Sequence, residues 1–435
     1  MTSPNASLPS PPVADRKALL GDRSLRWLMS GALISNLGDQ FTLIALPWAV
    51  LQMTQDPLVL GIVLAMVGVP RALFILLGGA IVDRHSPQRV LLVSKYANAV
   101  LLALLAAGIG SGTLTLPMLC VLALGLGVAA AFGIPAATSM LPAVVAPAQL
   151  AAANGLMMGV RQLTLFVGPL LAGLLIALGG SGAAVTGAAS PGLAWAFGID
   201  AASFVLSAWT LSQVRSRVLP SPGRQAVLAA VAEGLRSFWA DRDLRAFLGY
   251  GAVVSLFIAG PVQIALPVLA SSKPGLGAAA FGSMLGAHGA GTLLGMAWAG
   301  LRPSWRIGGL GLTILTMDGV VGLLFMPMGH VTAIWQGAGL LLLVGALGGF
   351  MQVLVFTWLQ QRVAPAMMGR AMSLFMFIFV GLAPLSAAAT GALLRWVALP
   401  DLFAGAGGLL VLIVLLALVG SRMRRLDEVL SVPAT

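Results

Sequence analysis

The sequence predicts an all-α integral membrane protein of twelve transmembrane helices, arranged as two six-helix halves related by pseudo-symmetry. Three observations carry the prediction. The chain is too apolar to cover a water-facing surface, its apolar runs divide into twelve membrane-length segments, and its second half repeats its first. Hydrophobic residues make up 59% of the 435 and charged residues only 9%, against about 25% in a soluble domain. Mean hydropathy is +1.00. The 54 glycines and 25 prolines are scattered through apolar runs. That suits packed membrane helices, where small residues allow close approach and helix breaks are tolerated.

A helix needs about 20 apolar residues to cross a hydrocarbon core of about 30 Å. The segments that meet this are 25–52, 57–82, 88–110, 115–138, 149–178, 192–213, 244–270, 277–299, 306–327, 331–359, 366–394 and 400–420. Residues 1–24, rich in Pro and Ser, read as a disordered cytoplasmic tail with no signal-peptide pattern. Residues 25–213 form the first six-helix bundle, 214–243 a basic cytoplasmic linker, 244–420 the second bundle and 421–435 a cytoplasmic tail. Of the 24 Lys and Arg, 20 fall in connectors on one side or at their edges, Lys95 among them. Lys273 and Arg395 fall on the other side, and Arg71 and Arg161 within spans. The positive-inside rule then places both termini in the cytoplasm. The net charge of +11 is accounted for by this topology and is not a nucleic-acid footprint.

The repeat is visible in the letters. "LRWLMSGALISNLGDQFTLIALP" (25–47) pairs with "LRAFLGYGAVVSLFIAGPVQIALP" (244–267), "VAPA" recurs at 145–148 and 363–366, and Gly168-Pro169 answers to Ala383-Pro384, all at offsets of 215 to 220. Parallel six-helix halves with a midplane site between them are the architecture of a large class of transporters.

The connector "GGAIVDRHSPQRVLLVS" is similar to the signature loop of the major facilitator superfamily, Gly-x-x-x-Asp-Arg-x-x-x-x-Arg, with Gly79, Asp83, Arg84 and Arg89 in the matching positions. The first span, "ISNLGDQFTLIALPWAVLQMT", resembles the subgroup of macrolide-type efflux pumps and enterobactin (siderophore) exporters. "GVRQLTLFVGPLLAG" resembles the Gly-Pro motif associated with antiporters, here Gly168, Pro169 and Gly173. The chain departs from the family at Ser86, Pro87 and Gln88. It has Ala143 where relatives often carry an acid, and Leu301-Arg302 where the loop's Asp-Arg would recur. The resemblance implies alternating access, with the first, second and fifth helices bordering a central cavity. It also implies a conformational latch at Gly79, Asp83, Arg84 and Arg89, in which Asp83 meets a helix N-terminus.

Three charges fall near the midplane. Asp39, Arg71 and Arg161 lie about 21, 21 and 18 Å into their spans at 1.5 Å per residue. An intramembrane charge costs at least about 2.5–3.5 kcal/mol and so faces a wet cavity or a partner. For Asp39 three roles stand open: a proton carrier, with Arg161 tuning it; a fixed ion pair with Arg161; or direct substrate contact. Arg71 and Arg161 leave the group at net +1, which suits an anionic or carboxylate-bearing cargo. Asn36, Gln40, Gln162, Gln263, Gln352 and Trp48 are candidate cavity lining. His288 is a cavity candidate that titrates near neutrality or else a packing residue. Asp200 and Asp318 read as packing or hydrogen-bonding residues, Met157, Met158, Met372 and Met376 as helix packing, and Cys120 as a small buried or lipid-facing residue. Gly168, Pro169 and Gly173 are expected to bend span five and pack it closely.

No nucleotide-binding loop and no Cys/His/carboxylate cluster with metal spacing occurs, so an enzyme, a cofactor, a bound metal and direct ATP drive are not expected. The expected protein is a monomeric secondary transporter that exports a small amphipathic molecule by proton antiport, its partners being the cargo, protons and the bilayer. A dedicated siderophore or secondary-metabolite exporter is the main alternative. An uptake permease and a non-transporting receptor come after it.

Overall fold

The structure is a computed structural model describing residues 21–180, 190–216, 239, 241–363, 372 and 374–426. The side chains of 75–80, 83, 84 and 380 lie outside the described ones. Among the described residues the chain is helical throughout. The helices are α1 (Arg23–Thr54), α2 (Pro57–Arg84), α3 (Pro87–Gly110), α4 (Leu116–Val144), α5 (Pro147–Leu178) and α6 (Pro191–Ser212), then α7 (Arg242–Ser272), α8 (Ala278–Leu301), α9 (Leu310–His330), α10 (Ile334–Arg362), α11 (Leu374–Leu393) and α12 (Leu399–Gly420). Ten of them are long and apolar enough to cross a membrane, so this is a multi-pass membrane protein. The two outside that set are α1, which carries Asn36, Asp39 and Gln40, and the glycine-rich α8.

Local chemistry sets the helix starts. The Asp22 carboxylate accepts from the amides of Ser24 and Leu25, Asp56 from Leu58, Thr115 from Met118, and Asp241 from Asp243 and Leu244. Each cap satisfies amides that the first turn leaves open. Prolines open α2, α3 and α6, where the missing N–H costs nothing. Pro47, Pro70, Pro135, Pro142 and Pro169 stay inside continuous helices. Both α7 and α11 pass through a π turn, at Pro261–Ala265 and Phe377–Gly381. The second connector shrinks because α2 runs on to Arg84, and α9 starts four residues later than 306 because Gly308 and Gly309 turn the chain at φ 65° and 137°.

The two halves repeat their packing. In the first, α1 lies against α5 and α6, α2 against α4, and α3 against α6. In the second, α7 lies against α11, α8 against α10, and α9 against α12. The halves meet along two matching seams, α5 with α8 and α2 with α11. Gly282 of α8 fits against Pro169 and Gly173 of α5, and Gly68 of α2 fits against Pro384 of α11. Pro169 to Pro384 spans 215 residues and Gly68 to Gly282 spans 214, so the seams obey the sequence repeat. The Gly-Pro-x-x-x-Gly stretch of α5 therefore does its close packing between halves, and α5 continues through Pro169 unbroken.

The apolar core shows where the halves join. One cluster takes in residues of both, from Ile44, Trp48 and Leu51 to Ile264, Leu269 and Phe281. At the end that carries the termini there are two separate clusters, one around Leu25, Met140 and Leu211, the other around Phe247, Leu310 and Trp358. The bundle is thus closed at the end away from the termini and divided at the other.

Candidate functional site

Asp39 stands 16 residues past the start of α1, or about 24 Å along it. Its two neighbours are buried for different reasons. Gly38 sits against Asp200 and Ser203 of α6, and the Gln40 side chain against Gly168 of α5. The face between them carries Asn36, Asp39 and Leu43, and there Asp39 and Leu43 are exposed. A carboxylate at this depth cannot face lipid without a cost of several kcal/mol. This face of α1 therefore looks into the cleft between the halves.

Arg161 of α5 is exposed and Arg71 of α2 half-buried. Among the described residues no ion pair joins Asp39 to Arg161. The cation that the structure brings to this part of α1 is Lys95 of α3, which reaches Ser35 one turn before Asp39. Counting Lys95 with the second connector needs correction, because the structure buries it inside α3 at 8% exposure. Its ammonium donates to Ser207 Oγ (2.7 Å) and Ser35 Oγ (3.2 Å) and lies 5.5 Å from the Phe204 ring centroid. Asp200 of α6, 1% exposed, accepts from Thr42 Oγ1 (2.5 Å) and Ser203 Oγ (3.2 Å). The charge of Lys95 reaches both Asp39 and Asp200. These residues form a polar seam where α1, α3 and α6 meet, with two carboxyls and one ammonium separated by hydroxyls.

The sequence held a signal for it. Ser94, Lys95 and Asn98 interrupt an apolar run on one side of α3, and Ser203, Ser207 and Thr210 recur at helical spacing on α6. In the second half the corresponding α7–α9 seam holds a different pair. Tyr250 Oη donates to Asp318 Oδ2 at 2.6 Å, both buried.

The remaining candidates are distributed along the cleft and its seams. Gln40 and Gln162 are buried, each with an Oε1 that finds no hydrogen-bond partner among the described residues, while Gln162 Nε2 meets Met296 Sδ of α8 at 3.0 Å. Gln263 is exposed in the π turn of α7, and Asn36 and Gln352 are half-buried. Among the described residues, Nδ1 of the half-buried His288 and Nε1 of the buried Trp48 have no hydrogen-bond partner. Of the signature loop, Gly79, Asp83 and Arg84 lie in the last turns of α2 with side chains outside the described ones, and Arg89 is exposed in the first turn of α3. Gln88, a departure from the signature, ties this loop to the end of α6. Its Nε2 donates to the carbonyls of Leu211 and Val214, both at 2.9 Å.

Two ion clusters mark the ends. At the closed end, Asp56 of the first half pairs with Arg395 of the second. The Arg395 hydrogen bond holds the Asp56 carboxyl below its ordinary value, and the same bond raises the guanidinium. At the divided end, Arg362 of α10 forks onto Asp241 (2.8 and 3.0 Å) and reaches Asp243 (2.8 Å). Burial works against the charge on Asp241. The hydrogen bonds from Arg362 and from two amides outweigh it and hold this carboxyl low.

The family model described as Major Facilitator Superfamily matches residues 28–388. The chain is 33% identical over 247 residues to the multidrug efflux pump Tap of Mycolicibacterium fortuitum, covering 54% of this chain and 55% of that protein. It is 26% identical over 401 residues to the enterobactin exporter EntS of Shigella boydii serotype 4 (strain Sb227), covering 88% and 89%. Among solved structures, an autoinhibited peptide transporter of the POT family superposes with a TM-score of 0.71 at 15% identity, over 90% of this chain and 95% of the other.

Proposed function

The chain belongs to the major facilitator superfamily, and on that premise we propose that it exports a small amphipathic molecule across the inner membrane by proton antiport. The observation that carries the proposal is Asp39, a carboxylate at mid-membrane on the one free face of α1, in a cleft that ends at the joined seams. With the termini cytoplasmic, as the basic connectors indicate, the cleft opens to the cytoplasm and cargo is loaded from there. Asp39 holds a proton in one state and releases it in the other, while the α5–α8 and α2–α11 seams separate and the divided end closes. The exposed Arg161 and half-buried Arg71 favour a cargo with a carboxylate or other acid. The free acceptors of Gln40 and Gln162 favour hydrogen-bond donors on an apolar frame. The likeness to EntS along most of both chains supports a dedicated siderophore or secondary-metabolite exporter as the second reading.

The test is transport in inverted membrane vesicles that carry a pH gradient. Enterobactin and a panel of amphipathic drugs are added one at a time. Export by antiport predicts that a cargo discharges the gradient. A cargo that accumulates without discharging it refutes proton antiport, and loss of uptake in cells lacking the protein would make it a permease. A broad panel of active cargoes favours the drug pump, and enterobactin alone the dedicated exporter.

A further inference from the structure

The seam of α1, α3 and α6 holds three ionisable groups, and their charges do not cancel. Fully ionised, Asp39, Asp200 and Lys95 sum to one negative charge. Two are nearly sealed from water, Asp200 at 1% and Lys95 at 8% exposure, and Asp39 alone reaches the cleft. Among the described residues no carboxylate lies within ion-pair distance of Lys95. Its partners there are the hydroxyls of Ser35 and Ser207.

Other charges near α1 do not enter this sum. Arg161 on α5 is exposed to the cleft, where water and salt screen it. Arg71 on α2 and His288 on α8 are half-buried and stand on other helices, whereas Lys95 lies in the same seam as the two acids and its charge acts on both. The described part of α4 contributes no charged side chain, and Asp22, Arg23 and Arg26 lie at the terminal end of α1. Burying an uncancelled charge is costly, and a group in that position gains or loses a proton instead.

We propose that Asp39, Asp200 and Lys95 act as one charge-balanced unit that takes up a single proton, shared between the two carboxyls and held to one by Lys95. This deepens the proton-antiport reading and rests on it. The proton arrives at a carboxylate oxygen of Asp39, where an O–H bond forms and the unit becomes neutral. When the cleft turns to the opposite face the same bond breaks, the proton leaves to water and the unit returns to one negative charge. Lys95 and Asp200 are positioning residues. They set how many protons Asp39 can exchange without touching cargo themselves.

The idea yields a counting rule that a purely structural role does not. Removing either acid leaves a balanced acid–lysine pair that needs no proton. Removing the lysine leaves two acids that need two. Removing Lys95 and Asp200 together leaves a lone acid that again needs one.

The experiment is a pH titration of the purified full-length protein in detergent, followed by difference infrared absorption of the protonated carboxyl C=O stretch. It is done in an Asp318→Asn background, because Asp318 is another buried carboxyl. Asp39→Asn and Asp200→Asn are each expected to lose the band completely. Lys95→Met should double its amplitude, and Lys95→Met with Asp200→Asn should return it to the single amplitude. An intact or half-sized band in Asp39→Asn overturns the proposal, and that variant alters an exposed side chain and so keeps its fold. An undoubled band in Lys95→Met, or a double variant no different from Asp200→Asn, overturns it as well. The titration uses no cargo, so it can fail while vesicle antiport stands, and it can succeed while antiport fails.

Discussion

Replacing Gly282 with alanine is expected to loosen the closed end and move the protein toward a state open on the other face. A Cβ at Gly282 would lie 2.8 Å from Gly173 Cα and 3.1 Å from Gly173 N, and nearer still to the Pro169 carbonyl oxygen. All three atoms are backbone of α5, so no rotamer change relieves the overlap and α5 must move away from α8. An extra carbon forced into a packed interior costs about 1–3 kcal/mol. Opening the seam removes that cost, so the equilibrium shifts by roughly 5- to 150-fold toward the opened state. Met53 on α1 and Ser271 on α7 are exposed at the closed end and suit spin labels, with Cys120→Ser as background. Pulsed electron resonance between labels at these sites should show one short distance in the parent and a second, longer one in Gly282→Ala. Gly159→Ala is the control, since a Cβ there meets nothing within 4 Å, and it should leave the distribution unchanged. A folded Gly282→Ala protein with the parent's single short distance would refute the assignment of this seam as the gate.

The Asp56–Arg395 pair should make closure of the same end depend on acid. Arg395 lowers the Asp56 carboxyl in the closed state, so its contribution is complete above the ordinary carboxylate value of about 3.9 and disappears as pH falls through the lowered one. The same label pair should report that loss, and Asp56→Asn should abolish it. Tyr250→Phe leaves Asp318 buried without its donor and should lower stability by about 1–3 kcal/mol in thermal unfolding, with recovery when Asp318→Leu is added; no recovery would count against the pair. Arg362→Ala strips three hydrogen bonds from Asp241 and Asp243 and should cost about 1.5–3 kcal/mol. Arg362→Lys should restore only part, because an ammonium lacks the fork, and full recovery would contradict the geometry.

The parts of this protein that follow from local chemistry were legible as letters. Asp22, Asp56 and Thr115 cap helices where the apolar runs begin, and the paired Pro169 and Pro384 mark equivalent seams because duplication preserved their spacing. Depth along a helix could also be counted, which put Asp39 at mid-membrane. Facing could not. Polarity does not mark the free side of α1, because Ser35 and Gln40 are buried while Asp39 and the apolar Leu43 are exposed, so the free face of α1 emerged only once α5 and α6 were placed. Lys95 lies about 12 Å into α3, so near the charged edge that the sequence alone does not separate it from the basic connector. Its burial depends on Ser35 and Ser207, 60 and 112 residues away. Arg395 stood out as one of two cations on the far side. Its partner Asp56 is 339 residues distant, and only the meeting of the halves brings them together.

The central claim is that Asp39 carries the coupled proton, and transport by purified protein in liposomes tests it most directly. With a cargo identified in vesicles, the parent protein should accumulate it when a pH gradient is applied and should also exchange labelled for unlabelled cargo without one. Asp39→Asn should lose gradient-driven accumulation and keep the exchange, since the gate and cleft remain. Accumulation by Asp39→Asn at the parent's level under the same gradient would contradict the account.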